Sequence, residues 1–139
     1  MTAVLLAAGI SSRLRPLTDT MPKSMLPIGG KPLLHRTLEI LQEAGLGRCI
    51  IVTGYLHEMM EEFVRALDLR LHIDFVYNQH FSTTNNNFSL WLAQSMLNTD
   101  AMLLLDADIL FDPRILTRLL ELVAVVLYRQ SGTLQHLLM

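Results

Sequence analysis

The chain opens on an apolar run, Thr2–Ala7, that passes directly into the small-residue loop Ala8-Gly9-Ile10-Ser11-Ser12 and then Arg13. Lys23 follows ten residues later, immediately after Pro22. A short apolar run ending in such a loop reads as a buried strand, most regular over 3–7. Small side chains let backbone N–H groups approach phosphate oxygens, and two spaced cations can neutralise them. A strand, a tight loop and two cations at the chain start therefore point to nucleoside triphosphate chemistry.

Two other phosphate motifs are excluded on residues. The chain contains no Gly-x-x-x-x-Gly-Lys-Ser/Thr, and no Gly-x-Gly-x-x-Gly follows the first strand. At 139 residues and 51% hydrophobic, the chain fits one domain large enough to bury a core. A net charge of −2 offers no basic field for nucleic acid. The histidines at 35, 57, 72, 80 and 136 lack metal-ligand spacing. The single cysteine, Cys49, opens the apolar run 49–52 and reads as a buried structural thiol, compatible with a reducing cytoplasm. No basic, signal-like segment precedes the first strand, and the longest uncharged apolar run, 122–128, is too short to span a bilayer. The expectation is a cytoplasmic protein without a membrane partner.

Strand and helix patterns alternate. Pro32 suits a first helical position, and Leu34, Leu38 and Leu41 share one face before Gly45 stops the helix. A second strand covers 49–53 and ends in Gly54-Tyr55; a second helix places Leu56, Met59, Met60, Phe63 and Leu67 at helical spacing. A third strand covers about 72–77, and a polar loop, 78–86, leads to a third helix with Phe88, Trp91, Leu92 and Met96 in one stripe. A fourth strand spans 101–105, and Asp112-Pro113 starts a fourth helix through Glu121. The β-branched run 123–128 reads as a fifth strand, with a continued fourth helix as the alternative. Continuous apolar strands between amphipathic helices predict an α/β fold: a Rossmann-like, doubly wound, mainly parallel sheet with helices on both faces. Ligands of such sheets sit beyond the carboxyl ends of the strands, where Gly9, Tyr55, Gln79 and Asp108 all fall.

Asp106 and Asp108 stand two residues apart at the end of the buried run 103–105. In extended conformation both point to one side, and a divalent cation would relieve their repulsion. Carboxylate oxygens with retained waters and nucleotide phosphates suit Mg2+.

The opening stretch resembles the N-terminal signature of the sugar-phosphate and choline-phosphate nucleotidyltransferases, Leu-Ala-Ala-Gly-x-Gly-Ser/Thr-Arg followed by Pro-Lys. Leu6, Ala7, Ala8, Gly9, Ser12, Arg13, Pro22 and Lys23 carry the likeness. Ser11 stands where the family usually has its second glycine, which makes a positive φ there less comfortable. The resemblance implies a nucleotide-diphospho-sugar transferase type of fold. It also implies a reaction in which an acceptor phosphate oxygen attacks the α-phosphorus of a nucleoside triphosphate and pyrophosphate leaves. In that reading Arg13 meets the β- and γ-phosphates, and Lys23 meets the α-phosphate and the attacking group. The Gly9–Ser12 backbone cradles the triphosphate, Asp108 holds Mg2+, and Asp106 stands beside it. Leu6, Ala7, Ala8, Ser11, Tyr55, Gln79 and Asn86 complete the nucleotide site.

The segment 84–93 resembles the Asn-Asn-x-x-Ser-Leu stretch of phosphocholine and aminoalkylphosphonate cytidylyltransferases, which implies CTP and a phosphorylated or phosphonate acceptor. Asn86 or Asn87 suits the cap of the third helix. A quaternary ammonium acceptor calls for an aromatic cage, with Trp91, Tyr77 and Phe81 as candidates, although Trp91 and Phe88 fit the core stripe better. Two other readings stay open: a hexose-1-phosphate nucleotidylyltransferase using dTTP or UTP, and a non-catalytic remnant acting through self-association.

The likeness runs to about Leu120, the front part of a family enzyme, and 122–139 is an atypical tail on a single domain, 1–139. A sheet cut after its fourth or fifth strand leaves an unpaired edge, so a homo-oligomer is expected. The resemblance also implies a second metal-binding aspartate in the family's later segment, which 122–139 does not match, so nucleotide binding without efficient turnover is expected.

Overall fold

The computed structural model describes residues 1–98 and 101–130. Four strands form one parallel sheet: β1 (Thr2–Ala7), β4 (Arg48–Thr53), β5 (His72–Tyr77) and β6 (Met102–Asp106), in the order β5-β4-β1-β6. A two-residue antiparallel hairpin, β2 (Pro27–Ile28) and β3 (Lys31–Pro32), stands apart from it. The helices are α1 (Leu33–Glu43), α2 (His57–Arg65), α3 (Asn86–Gln94) and α4 (Pro113–Gln130).

Alternation along the strands sorts the apolar residues into two clusters, as side chains two apart share a sheet face. Ala3, Leu5, Cys49, Ile51 and Leu103 face α1, α2 and α4, where Leu34, Leu38, Leu41, Met60, Val64 and Leu116 are buried. Val4, Leu6, Ile50 and Val52 face α3, where Ala93 is buried. Helices thus cover both faces, as a parallel sheet of apolar strands requires. The second face is covered over β1 and β4 but open at β6, where Met102 and Leu104 are each 42% exposed. Cys49 is buried, and that burial, with the Asp74 carboxylate adding to it, pushes its thiol up to about 12.

Several local expectations are corrected. The run 123–128 lies within α4 rather than in a fifth strand, because no Gly or Pro interrupts the chain between Pro113 and Gln130. Pro32 does not open α1: its pairing with Pro27 in the hairpin holds its ψ at 138°, and the helix begins at Leu33. Leu56 precedes α2 in a left-handed conformation, and Met59 is exposed while Met60 and Val64 carry the buried face. The cap of α3 is Asn85, which accepts a hydrogen bond from the Phe88 N–H, rather than Asn86 or Asn87. Trp91 is 62% exposed and outside the core stripe, since Ser89 and Ala93 are the residues that α3 buries.

The strand order makes β1 the point where the chain's progression reverses: β4 and β5 lie to one side and β6 to the other. The crevice between the carboxyl ends of β1 and β6 is where open α/β sheets bind ligands.

Candidate active site

β1 and β6 run side by side with Leu6 opposite Asp106, and the Ala107 N–H donates to the Leu6 carbonyl at 3.0 Å. This ladder carries the end of β6 up to the loop that follows β1. Asp106 closes the strand, Ala107 is buried in the turn beyond it, and Asp108 follows exposed. The extended conformation thus stops at Asp106, yet both carboxylates line one cavity of about 170 Å³.

The loop after β1 makes the opposite wall. Ser11 takes the left-handed conformation, φ 54° and ψ 45°, despite its Cβ. Its carbonyl accepts the Thr18 hydroxyl at 2.9 Å and the Leu14 N–H at 3.1 Å, which holds the turn. Gly9 lines the cavity, and a Cβ added there would meet no atom of the described residues beyond its chain neighbours within 4 Å. No close approach among the described residues demands a glycine at this position.

Pro22 leads into a short 3-10 turn, Lys23–Met25, closed by the Met25 N–H donating to the Pro22 carbonyl at 2.9 Å. Burial of Ser24 and Met25 anchors the turn and leaves Lys23 half-exposed on the cavity wall. The Lys23 ammonium donates to Asp108 Oδ2 at 2.7 Å. Across the cavity the Asn86 amide donates to Asp106 Oδ1 at 3.1 Å, from the first turn of α3.

Of the residues expected from the sequence, Leu6, Ala7, Gly9, Ser11, Lys23, Asn86, Asp106 and Asp108 come together on this cavity. The others do not line it. Ala8 is buried and its carbonyl accepts the Tyr55 N–H at 3.3 Å. Ser12 and Arg13 lie exposed in the 3-10 turn Ser12–Leu14, and the Arg13 side chain contacts no partner among the described residues. The Tyr55 hydroxyl donates to the Thr18 and Asp19 carbonyls at 2.7 and 3.1 Å, bracing the loop that carries the motif. Gln79 is exposed, with its side chain 3.3 Å from His80. The candidate cage does not form one ring contact: Trp91 lies beside Phe88, Tyr77 stacks on His57 and Phe81 faces Tyr55.

Other residues that build the site were not legible as such. Ser24 and Ala107 also line the cavity, beside the motif residue Pro22. Asn78, buried at the end of β5, donates to the Thr84 and Ser89 hydroxyls and accepts the His80 N–H, which fixes the loop leading to Asn86. A buried asparagine gives no periodic signal.

Among the described residues no three His, Cys, Asp or Glu side chains gather as a metal site. Asp106 and Asp108 offer hard oxygen donors on one cavity, a set that fits a cation completing its shell with water and phosphate oxygens. No helix among the described residues is long and apolar enough to cross a membrane.

A family model described as the MobA-like NTP transferase domain matches residues 3–139. The choline-phosphate cytidylyltransferase of Haemophilus influenzae is 38% identical over 115 residues, 83% of this chain and 47% of that protein. The CMP-5'-(3-aminopropyl)phosphonate synthase of Streptomyces rubellomurinus is 38% identical over 117 residues, 84% of this chain and 18% of its own length. Among solved structures, the CTP:phosphocholine cytidylyltransferase of Streptococcus pneumoniae superposes with a TM-score of 0.69 at 34% identity, over 81% of this chain and 47% of that one. The chain thus spans about half the length, or less, of the relatives it matches.

Proposed function

The chain belongs to the MobA-like NTP transferase family, and from that premise we propose that its cavity binds a nucleoside triphosphate, CTP, for transfer of CMP to a phosphorylated or phosphonate small molecule such as phosphocholine. One observation carries the reading: Lys23, Asp106, Asp108 and the Gly9–Ser11 wall meet at the switch point between β1 and β6. The cytidylyltransferase relatives support the choice of base and acceptor class.

In this reading an acceptor phosphate oxygen forms a bond to the α-phosphorus. The bond from that phosphorus to the bridging oxygen breaks, and pyrophosphate leaves with the electron pair. The nucleophile is already ionised at neutral pH, so no general base is required, and rate comes from positioning and charge neutralisation. Lys23 orients the α-phosphate and the attacking oxygen. The Arg13 guanidinium, without a partner among the described residues, serves the β- and γ-phosphates, and backbone N–H groups of the Gly9–Ser12 loop hold the triphosphate. Asp106 and Asp108 would hold a divalent cation, Mg2+, which when bound neutralises phosphate charge and fixes the triphosphate's conformation.

Thermal shift with CTP, dTTP, UTP and GTP, each with MgCl2, tests the proposal. CTP is expected to raise the Tm most, and Asp108→Asn to abolish the Mg2+-dependent part. A larger shift with dTTP or UTP would move the reading to a hexose-1-phosphate enzyme, and no shift with any nucleotide would overturn it.

A further inference from the structure

The charges around the cavity are not idle before any ligand arrives. Asp108 is engaged by the Lys23 ammonium at 2.7 Å, and Asp106 by the neutral Asn86 amide at 3.1 Å. The two contacts differ in kind. An amide orients a carboxylate without cancelling its charge, whereas an ammonium neutralises it. Lys23 and Asp108 are 36% and 40% exposed, so the pair is partly desolvated and still able to open.

We infer that Lys23 is a specificity-determining residue that makes the site take a divalent cation and a triphosphate together and reject the bare cation. This inference rests on reading the cavity as a metal–nucleotide site. A cation arriving alone must displace the ammonium from Asp108 and then remain beside it. Among the described residues the only other acidic side chain on the cavity wall is Asp106, which the cation itself requires. Lys23 is left with no anion. A triphosphate arriving with the cation supplies that anion, so the ammonium passes from carboxylate to phosphate while Asp108 passes from ammonium to metal. Each ligand therefore removes the obstacle to the other, and the coupling is reciprocal by thermodynamic necessity. By the same exchange, Asp108 keeps Lys23 from capturing a bare anion.

The test measures Mn2+ binding by electron paramagnetic resonance, with and without CTP, on the full chain and on Lys23→Met, Lys23→Arg and Asp108→Asn. For the unsubstituted chain CTP is expected to tighten Mn2+ binding at least fivefold after correction for Mn2+–CTP in solution. Lys23→Met should bind Mn2+ alone roughly fivefold tighter than the unsubstituted chain, the order expected for removing one partly exposed ion pair, and lose most of the gain from CTP. Lys23→Arg keeps the charge and should keep weak Mn2+ binding. Unchanged Mn2+ affinity in Lys23→Met, with binding lost in Asp108→Asn, would overturn the inference and leave the nucleotide reading intact. Asp108→Asn binding Mn2+ and CTP as the unsubstituted chain does would overturn the site reading and the inference with it.

Discussion

Gly54 lies so close to Ala8 that a Cβ on the glycine would stand 2.6 Å from the Ala8 carbonyl oxygen and 2.9 Å from its Cα, with the Phe81 Cβ also at 2.6 Å. The end of β4 is thereby pressed against the first residue of the motif loop, and the Tyr55 N–H donates to the same carbonyl at 3.3 Å. The backbone that presents Gly9 and Ser11 to the cavity is held in place from behind by a residue with no side chain.

Gly54→Ala should therefore cost more than its one methyl group suggests. Two of the three close atoms are backbone, which cannot swing away, so a destabilisation of about 1–3 kcal/mol is expected by urea denaturation. CTP affinity should fall as the loop shifts. Wild-type stability and affinity together would show that this approach is unimportant.

Ser11→Gly should act in the other direction. Holding a residue with a Cβ at φ 54° costs about 1–2 kcal/mol, and part of the relief is offset by the freedom glycine adds to the unfolded chain. A net gain of about 0.5–1 kcal/mol is expected, read as a higher urea midpoint. A loss of stability would mean that the Ser11 side chain contributes more than its conformation costs.

Asn78→Ala removes a buried side chain that satisfies two hydroxyls and one backbone N–H. Leaving such groups unpaired costs about 1–3 kcal/mol. The loop to α3 should loosen, seen as faster amide exchange at Phe81 and Asn86. Unaltered exchange would separate Asn78 from the placement of Asn86.

In a form of the protein that releases pyrophosphate from CTP and phosphocholine at a measurable rate, Lys23→Ala should lower that rate about 10²-fold, the usual scale for removing one electrostatic contact to a transition state. An unchanged rate would remove Lys23 from the reaction.

At the start of α4, hydrogen bonds from the Arg114 side chain and then its backbone N–H hold the Asp112 carboxyl down at about 2. A carboxylate with a depressed folded-state pKa stabilises the fold above its unfolded value, near 3.8, and that contribution fades as pH falls toward 2. Carbon-detected NMR titration should place the Asp112 midpoint well below that of an ordinary aspartate, and Arg114→Ala should raise it while the backbone N–H at 114 keeps part of the depression. An ordinary midpoint in the unsubstituted chain would refute the contact.

Much of this was legible because it is local. Apolar runs separated by amphipathic segments dictate a parallel sheet, and the loop 8–12 with Arg13 and Pro22-Lys23 announces its chemistry by composition. The fate of 123–128 was not legible, since a short apolar β-branched run satisfies strand and helix patterns alike. Its outcome followed from the helix already propagating into it from Pro113. The N-cap fell at Asn85 among three adjacent asparagines, any of which has the required side chain.

By itself the sequence determined which strands form and which residue types stand at their ends, because burial and turn chemistry act over a few residues. Only the tertiary structure decided that Lys23 meets Asp108 across 85 positions while Tyr55 turns to brace a loop and Gln79 stays outside. Those outcomes depend on the β1–β6 register and on how each loop packs, and register is a property of two paired segments that neither segment carries alone.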